Sequence, residues 1–199
     1  PEVLRYIFAV NKVDHEFAIS FDLDVITIYE AYDRTERMAW GVDAAKNEEV
    51  LAKEKRVYEL SQIDGVPSVM PYQVPFRQLT TLLQTYSGDI DAVIAKLGDV
   101  KPEQEECLRR RCECAWYWVK ECAPEDFKFA LREDGSKADL SGDFLNAIKR
   151  IRDEVVIKLE SYQVDKDLQQ AMYDIAKEIG IDPKALFTSM YQVLIAKDQ

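Results

Sequence analysis

Along most of the chain apolar residues recur at three- and four-residue spacing, the signature of amphipathic helices. Residues 22–39 carry Val25, Ile28, Tyr29, Tyr32 and Glu36 on one stripe, with Asp22 as a candidate cap and Gly41 beyond the end. Residues 47–61 form a second predicted helix, with Val50, Leu51, Val57, Tyr58 and Leu60 apolar. Gly65, Pro67 and Pro71 then break the pattern and mark an extended linker. Pro75 opens a helix through Phe76, Leu79, Leu82, Leu83 and Tyr86, and Asp89 opens a short one closed by Gly98. Pro102 starts the longest candidate, running to about Cys122.

Residues 127–142 read as an irregular excursion with an Asp134-Gly135 turn, after which Ser141 caps a helix with the stripe Phe144, Ile148, Ile151, Val155 and Leu159. Asp165 begins another helix, through Leu168, Met172, Ile175 and Ile179, which ends at Gly180. Asp182-Pro183 is a cap followed by a first-turn proline for the last helix, with Leu186, Phe187, Met190, Leu194 and Ile195 apolar. About eight helices on short connections predict an all-α fold, a helical bundle or cage in two parts, 1–62 and 63–199.

Composition narrows the chemistry. The seven glycines never lie closer than Gly135 and Gly142, so neither a dinucleotide fingerprint nor a Walker-type phosphate loop is present. His15 is the one histidine, which excludes HExxH zinc sites and paired ExxH motifs. It sits in a polar segment, where a solvated loop histidine is expected. We therefore expect no catalytic residues and no metal site in this chain. No apolar run reaches the ~18–20 residues of a membrane span. The opening PEVLRYIFAV lacks a basic, cleavable leader and reads as an excised piece of a longer chain.

Cys107, Cys112, Cys114 and Cys122 crowd into one helix, which is no disulfide framework, so a reducing, cytoplasmic setting is expected. At 100° per residue, with Cys107 at zero, Cys114 falls at about −20° and Cys122 at about 60°. Both then share the apolar arc of Leu108, Ala115, Trp118 and Val119, so Cys107, Cys114 and Cys122 are expected as buried thiols. Trp116 and Tyr117 point away from that arc. Arg111 falls inside it, at about 40°. It either snorkels out or pairs with a carboxylate of another helix, and we expect the second. Asp33-Arg34 and Glu36-Arg37 read as charge contacts along one solvated helix face, dense enough to dock a neighbouring domain. Arg34 and Arg37 are the candidates for that docking.

The net charge of −11 argues against a uniformly nucleic-acid-binding surface. Its distribution matters more, because a local basic surface suffices. Residues 1–60 sum to −5, 61–140 to −4 and 141–199 to −2, and Lys149, Arg150 and Arg152 cluster in the last part.

Several strings resemble one family. PEVLRYIF (1–8), FDLDVITIYEAYDRTERMAWG (21–41), VPFRQLTTLLQ (74–84), WVKECAPEDFKF (118–129) and IAKEIGIDPKALFTSMYQVLIAK (175–197) are similar, in order, to class I lysyl-tRNA synthetases beyond their catalytic domain. The family's tyrosine-Asp-Arg-x-Glu-Arg string is here Tyr32, Asp33, Arg34, Glu36 and Arg37. The last string also resembles the C-terminal anticodon module of glutamyl-tRNA synthetases. The segment NKVDHEFAIS (11–20) departs from the more basic string of archaeal members, and family members continue past Lys197-Asp198-Gln199 into a glycine-proline-arginine string.

The resemblance implies a stem-contact region at 1–62 and a helical anticodon-binding domain at 63–199. It implies tRNA(Lys), through its anticodon arm, as partner, together with an N-terminal catalytic domain of the same protein. ATP with Mg would serve that catalytic domain, and no cofactor this one. Within that reading the candidate tRNA-binding residues are Arg77, Lys149, Arg150, Arg152 and Lys184. Arg77 opens a helix inside a family-like string, and Lys184 lies in the first turn of the last helix, where free N–H groups favour an anion. The alternative reading is a helical protein-interaction module without RNA binding.

Overall fold

The computed structural model describes residues 2–11, 16, 18–132, 140, 142–161 and 165–195. Among these every regular element is helical: α1 Glu2–Val10, α2 Asp24–Ala39, α3 Glu48–Ser61, α4 Phe76–Thr85, α5 Ile90–Leu97, α6 Pro102–Glu121, α7 Gly142–Arg150, α8 Asp165–Ile179 and α9 Pro183–Ile195. A π-helical turn, Ile151–Val155, and a 3-10 stretch, Val156–Ser161, continue α7. The expected all-α class is what the chain adopts. His15, the Asp134-Gly135 turn, the Ser141 cap and residues 197–199 lie outside the described residues.

The chain divides into two compact units, Pro1–Lys128 and Phe129–Gln199. In the first, the apolar faces of α2, α4, α5 and α6 close over Ile26, Phe76, Leu83, Val93, Leu108 and Trp118. Helices α1 and α3 pack on the other side of α2, burying Ile7, Val57 and Tyr58. The local signals that start these helices are visible. The Asn47 side chain accepts from the Val50 N–H at 2.8 Å, and Asp89 accepts from Ala92 at 3.0 Å. Pro102 is the first residue of α6, and Gln104 reaches back to the Lys101 N–H at 3.3 Å. Gly88, at φ +83°, ends α4 and lies under Trp116, where an added Cβ would meet the indole at 2.4 Å. Trp116 thus covers the α4–α5 corner, while Tyr117 beside it is 62% exposed.

Two local expectations change. Leu23, not Asp22, occupies the position before α2, and Asp22 only approaches the Asp24 N–H at 3.5 Å. The cysteines also sort differently. Cys112 is fully buried, Cys107 and Cys122 are partly so, and Cys114 is exposed. The buried arc of α6 is centred on Leu108, Cys112, Ala115 and Val119. Cys107 and Cys114 lie on its edge, one step of rotation away from the core.

The linker at 62–75 belongs to the first unit. Gln62 Nε2 donates to Tyr32 Oη at 3.1 Å, Gln73 Nε2 to the Asp33 carbonyl at 3.0 Å, and Gln104 Nε2 to the Met70 carbonyl at 2.7 Å. The compact units therefore part at Lys128/Phe129, not at the expected 62/63.

In the second unit α7, α8 and α9 enclose Ala147, Ile151, Val155, Ile175, Ala176 and Leu186. Gly180, at φ +82°, ends α8, with the Gly180 and Ile181 N–H groups both returning to the Ala176 carbonyl at 3.0 Å. Asp182 then caps α9, accepting from Ala185 at 2.9 Å. The stripe predicted through Leu159 stops at Val155. A π turn inserts an extra residue into the repeat, and Lys158 (φ −103°, ψ 16°) kinks the stretch after it. Leu159 consequently faces out with Val156 and Ile157, the last 75% exposed.

Candidate functional site

Two polar centres stand out, one buried in the first unit and one exposed in the second. The buried centre grows from α2. Asp33 and Glu36 turn inward instead of forming the expected solvated face. Glu36, 1% exposed, accepts from Gln73 Nε2 at 2.6 Å and from Tyr58 Oη at 3.1 Å. Trp40 Nε1 in turn donates to Tyr58 Oη at 3.2 Å. Burial pushes the Glu36 carboxyl above its ordinary range, against hydrogen bonds from Gln73 and Tyr58 that pull it down. Asp33 faces Arg111 of α6, whose Nη2 donates to both carboxylate oxygens at 2.8 and 2.9 Å. Burial raises Asp33 too, opposed by that guanidinium. Arg111 also lies over the Tyr29 ring, 5.9 Å from its centroid. The buried-pair reading of Arg111 therefore holds. Neutral donors close this network around Glu36, and it ties α2, α3, the linker and α6 together.

The docking candidates differ in what they touch. Arg37 Nε pairs with Asp43 at 2.8 Å and its Nη1 donates to Gln73 at 3.2 Å, so it works inside the unit. Arg34 is exposed. Arg77, at the start of α4, is exposed and 3.4 Å from Glu30.

The second unit holds the other basic candidates. Lys149 and Arg150 close α7, and Arg152 lies on the π turn. Arg150 is engaged on both sides: Nε to Glu154 at 2.6 Å and Nη2 to Glu178 of α8 at 2.8 Å. Its hydrogen bonds to these two carboxylates raise its pKa further. Arg152 pairs with its neighbour Asp153 at 2.6 Å. Among the described residues Lys149 and Lys184 have no ion-pair partner. Lys184 borders an open depression of about 390 Å³, lined also by Phe144 of α7 and by Asp182, Thr188, Ser189 and Gln192. Sequence reasoning placed Phe144 only in an apolar stripe. The i, i+4, i+8 spacing of Lys184, Thr188 and Gln192 was the available sign of a polar line on α9. No described helix is long and apolar enough to cross a membrane.

Residues 1–64 match the family of class I (K) tRNA synthetases. More particularly, the whole chain is 48% identical over 200 residues to the lysine–tRNA ligase of Treponema pallidum. It is also 38% identical over 201 residues to that of Borreliella burgdorferi and 32% identical over 206 to that of Thermococcus kodakarensis. Each match takes in 100% of this chain, which spans 38–39% of the length of these relatives. The chain is thus similar along its whole length to lysine–tRNA ligases.

Proposed function

We propose that this chain is the tRNA-recognition part of a class I lysine–tRNA ligase, lying C-terminal to a catalytic domain that joins lysine to tRNA(Lys) with ATP and Mg in the cytoplasm. The observation that carries the reading is end-to-end similarity to proteins more than twice as long. Residues 1–62 are the stem-contact region, in keeping with a family match that stops at residue 64. Residues 63–199 grip the anticodon arm. Exposed Arg34 and the exposed side chains of Leu4 and Phe8 on α1 offer a face for the catalytic domain. Arg37 supports that face from inside, through Asp43 and Gln73.

In this reading Arg77, Lys149, Arg152 and Lys184 contact phosphates. Arg150 reaches a phosphate only by leaving Glu154 and Glu178, so its part is to hold α7 against α8. Phosphate contacts set affinity and its salt dependence, and unstacked loop bases supply selectivity. The test is a titration of the chain with lysine tRNA and an unrelated tRNA at several salt concentrations. Wild type should prefer lysine tRNA, and Arg77→Glu/Lys149→Glu/Lys184→Glu should bind more weakly. Each lost contact should reduce the salt slope of log affinity by roughly 0.7–0.9. A folded chain that binds no tRNA, or both tRNAs equally, overturns the proposal. The interaction-module reading draws on the exposed Val156, Ile157 and Leu159 ridge, and it expects no RNA binding at any salt.

A further inference from the structure

Along α2 the first unit carries two seams of different chemistry between its α1–α3 and α4–α6 layers. The seam at the N-terminal half of α2 is apolar. Ile26 lies in one core with Phe76 and Trp118, and Tyr29 stacks on Phe76 with ring centroids 4.6 Å apart. Such contact attracts without a preferred direction, so it holds the layers together and leaves their angle soft. The seam at the C-terminal half is polar. Arg111 of α6 grips both oxygens of Asp33 at 2.8 and 2.9 Å. Gln73 uses both ends of its carboxamide on α2. Its Nε2 donates to Glu36 Oε2 at 2.6 Å and to the Asp33 carbonyl at 3.0 Å, and its Oε1 accepts from Arg37 Nη1 at 3.2 Å. Gln73 belongs with the second layer, because its neighbour Val74 is buried in the core with α4 and α6 and the Met70 carbonyl accepts from Gln104 of α6 at 2.7 Å. Glu36 is the joint: Oε2 takes the Gln73 bond, and Oε1 accepts from Tyr58 of α3 at 3.1 Å.

Charge-assisted hydrogen bonds fix an angle where apolar contact does not. A buried ion pair adds little net stability over packed apolar residues, so orientation is what this seam contributes. Its place in the chain gives that orientation a use. Helix α1 opens the chain, on the side where the tRNA-recognition reading puts the catalytic domain. From α6 the chain runs on to the second unit at Phe129, which carries the phosphate candidates Lys149, Arg152 and Lys184. A tRNA held from both sides feels any change of angle at the seam, and a misplacement of about 1 Å at a reacting group costs on the order of 100-fold in rate.

We propose that Asp33, Arg111 and Gln73 are positioning residues for tRNA charging: they lock the angle between the α1–α3 and α4–α6 layers, with the Tyr29–Phe76 contact as the pivot. The proposal rests on the tRNA-recognition reading and goes beyond it, since none of the three touches RNA.

The test uses a full-length lysine–tRNA ligase that contains this chain. Asp33→Leu/Arg111→Met replaces the pair by apolar side chains and strands no charge. Gln73→Met, half-buried and uncharged, removes the second set of bonds and keeps the fold testable should the double variant not fold. In both, kcat for charging lysine tRNA should fall about 10- to 100-fold. KM for the tRNA should change less than about threefold, because the phosphate contacts remain and tRNA still binds at unproductive angles. Arg111→Lys keeps a charge contact with Asp33 and should retain more of kcat than the double variant. Nitroxide-bearing amino acids at exposed positions 55 and 96, on α3 and α5, read the angle directly. Wild type should give one narrow distance distribution, and the double variant and Gln73→Met broader ones. Folded variants that charge tRNA like wild type, or that keep the narrow distribution, overturn the positioning role and leave the tRNA reading intact. A double variant more active than Arg111→Lys means that packing alone serves, and overturns it too. A wild-type protein that charges no lysine tRNA overturns the tRNA reading, and this proposal with it.

Discussion

Arg111 and Asp33, 78 residues apart in sequence, meet inside the first unit through one guanidinium nitrogen that spans both carboxylate oxygens at 2.8 and 2.9 Å. Their side chains are 11% and 5% exposed, and Arg111 Nε has no hydrogen-bond partner among the described residues. Such a pair contributes little net stability relative to a well-packed apolar replacement, yet removing one partner strands a buried charge. Arg111→Met should therefore cost about 3–5 kcal/mol. Adding Asp33→Leu to Arg111→Met should recover part of that loss. Urea unfolding followed by tryptophan emission is the measurement, since Trp40, Trp116 and Trp118 all lie in the first unit. A single change costing less than about 1 kcal/mol, the range of exposed pairs, would contradict a buried role.

Glu36 gives the first unit a pH dependence with a definite sign. Its folded carboxyl titrates above the ordinary 4.5 because burial disfavours the charge. The folded state therefore binds this proton more tightly than the unfolded state. The stabilisation is complete below 4.5 and is lost as pH rises through the raised value. Wild type should lose urea resistance on going from mildly acidic to neutral pH, and Glu36→Gln should flatten that part of the profile. A Glu36→Gln profile parallel to wild type would show that other groups set the slope.

Glu36 and Arg111 also mark what the sequence could reveal. Glu36 fits the spacing of the Tyr32 stripe, yet its charge read as part of a solvated face, whereas the arc of α6 correctly placed Arg111 among apolar neighbours. Their partners, Asp33, Gln73 and Tyr58, come from distant segments that no local period connects. Caps such as Asn47, Asp89 and Asp182 act within one turn, so sequence and structure agree there. The stripe through Leu159 failed because a π turn costs one residue of phase and leaves no local trace in residue type. The depression beside Phe144 was hidden for a related reason: a half-buried phenylalanine and a fully buried one have the same spacing.

The cysteines offer a direct reading of the α6 rotation. Cys112 is buried, and burial pushes its thiol up to about 11, so it should be inert in the folded chain. Cys114 is exposed and should react first with a thiol-specific disulfide reagent. Titration of native protein should show one fast thiol and slower reaction at partly buried Cys107 and Cys122. Cys112 should react only on unfolding. Mass mapping of the first-labelled residue checks the assignment, and rapid labelling of Cys112 would place the helix in another rotation.

Neighbouring basic residues at the end of α7 should behave in opposite ways. Arg150 is committed to Glu154 and Glu178, so Arg150→Ala should free two carboxylates, loosen α7 from α8 and lower the unfolding midpoint of the second unit seen by circular dichroism. It should weaken RNA binding chiefly through the added negative charge nearby. Lys149 is exposed without an ion-pair partner among the described residues, so Lys149→Ala should leave the midpoint unchanged. Its loss should instead lower the salt slope for lysine tRNA by roughly 0.7–0.9, one phosphate contact. The two effects separate in a single pair of measurements, melting and salt-dependent titration of each variant. Arg150→Ala with wild-type stability and a reduced slope would reverse the roles, making Arg150 the phosphate contact and its carboxylate partners the groups it leaves on binding.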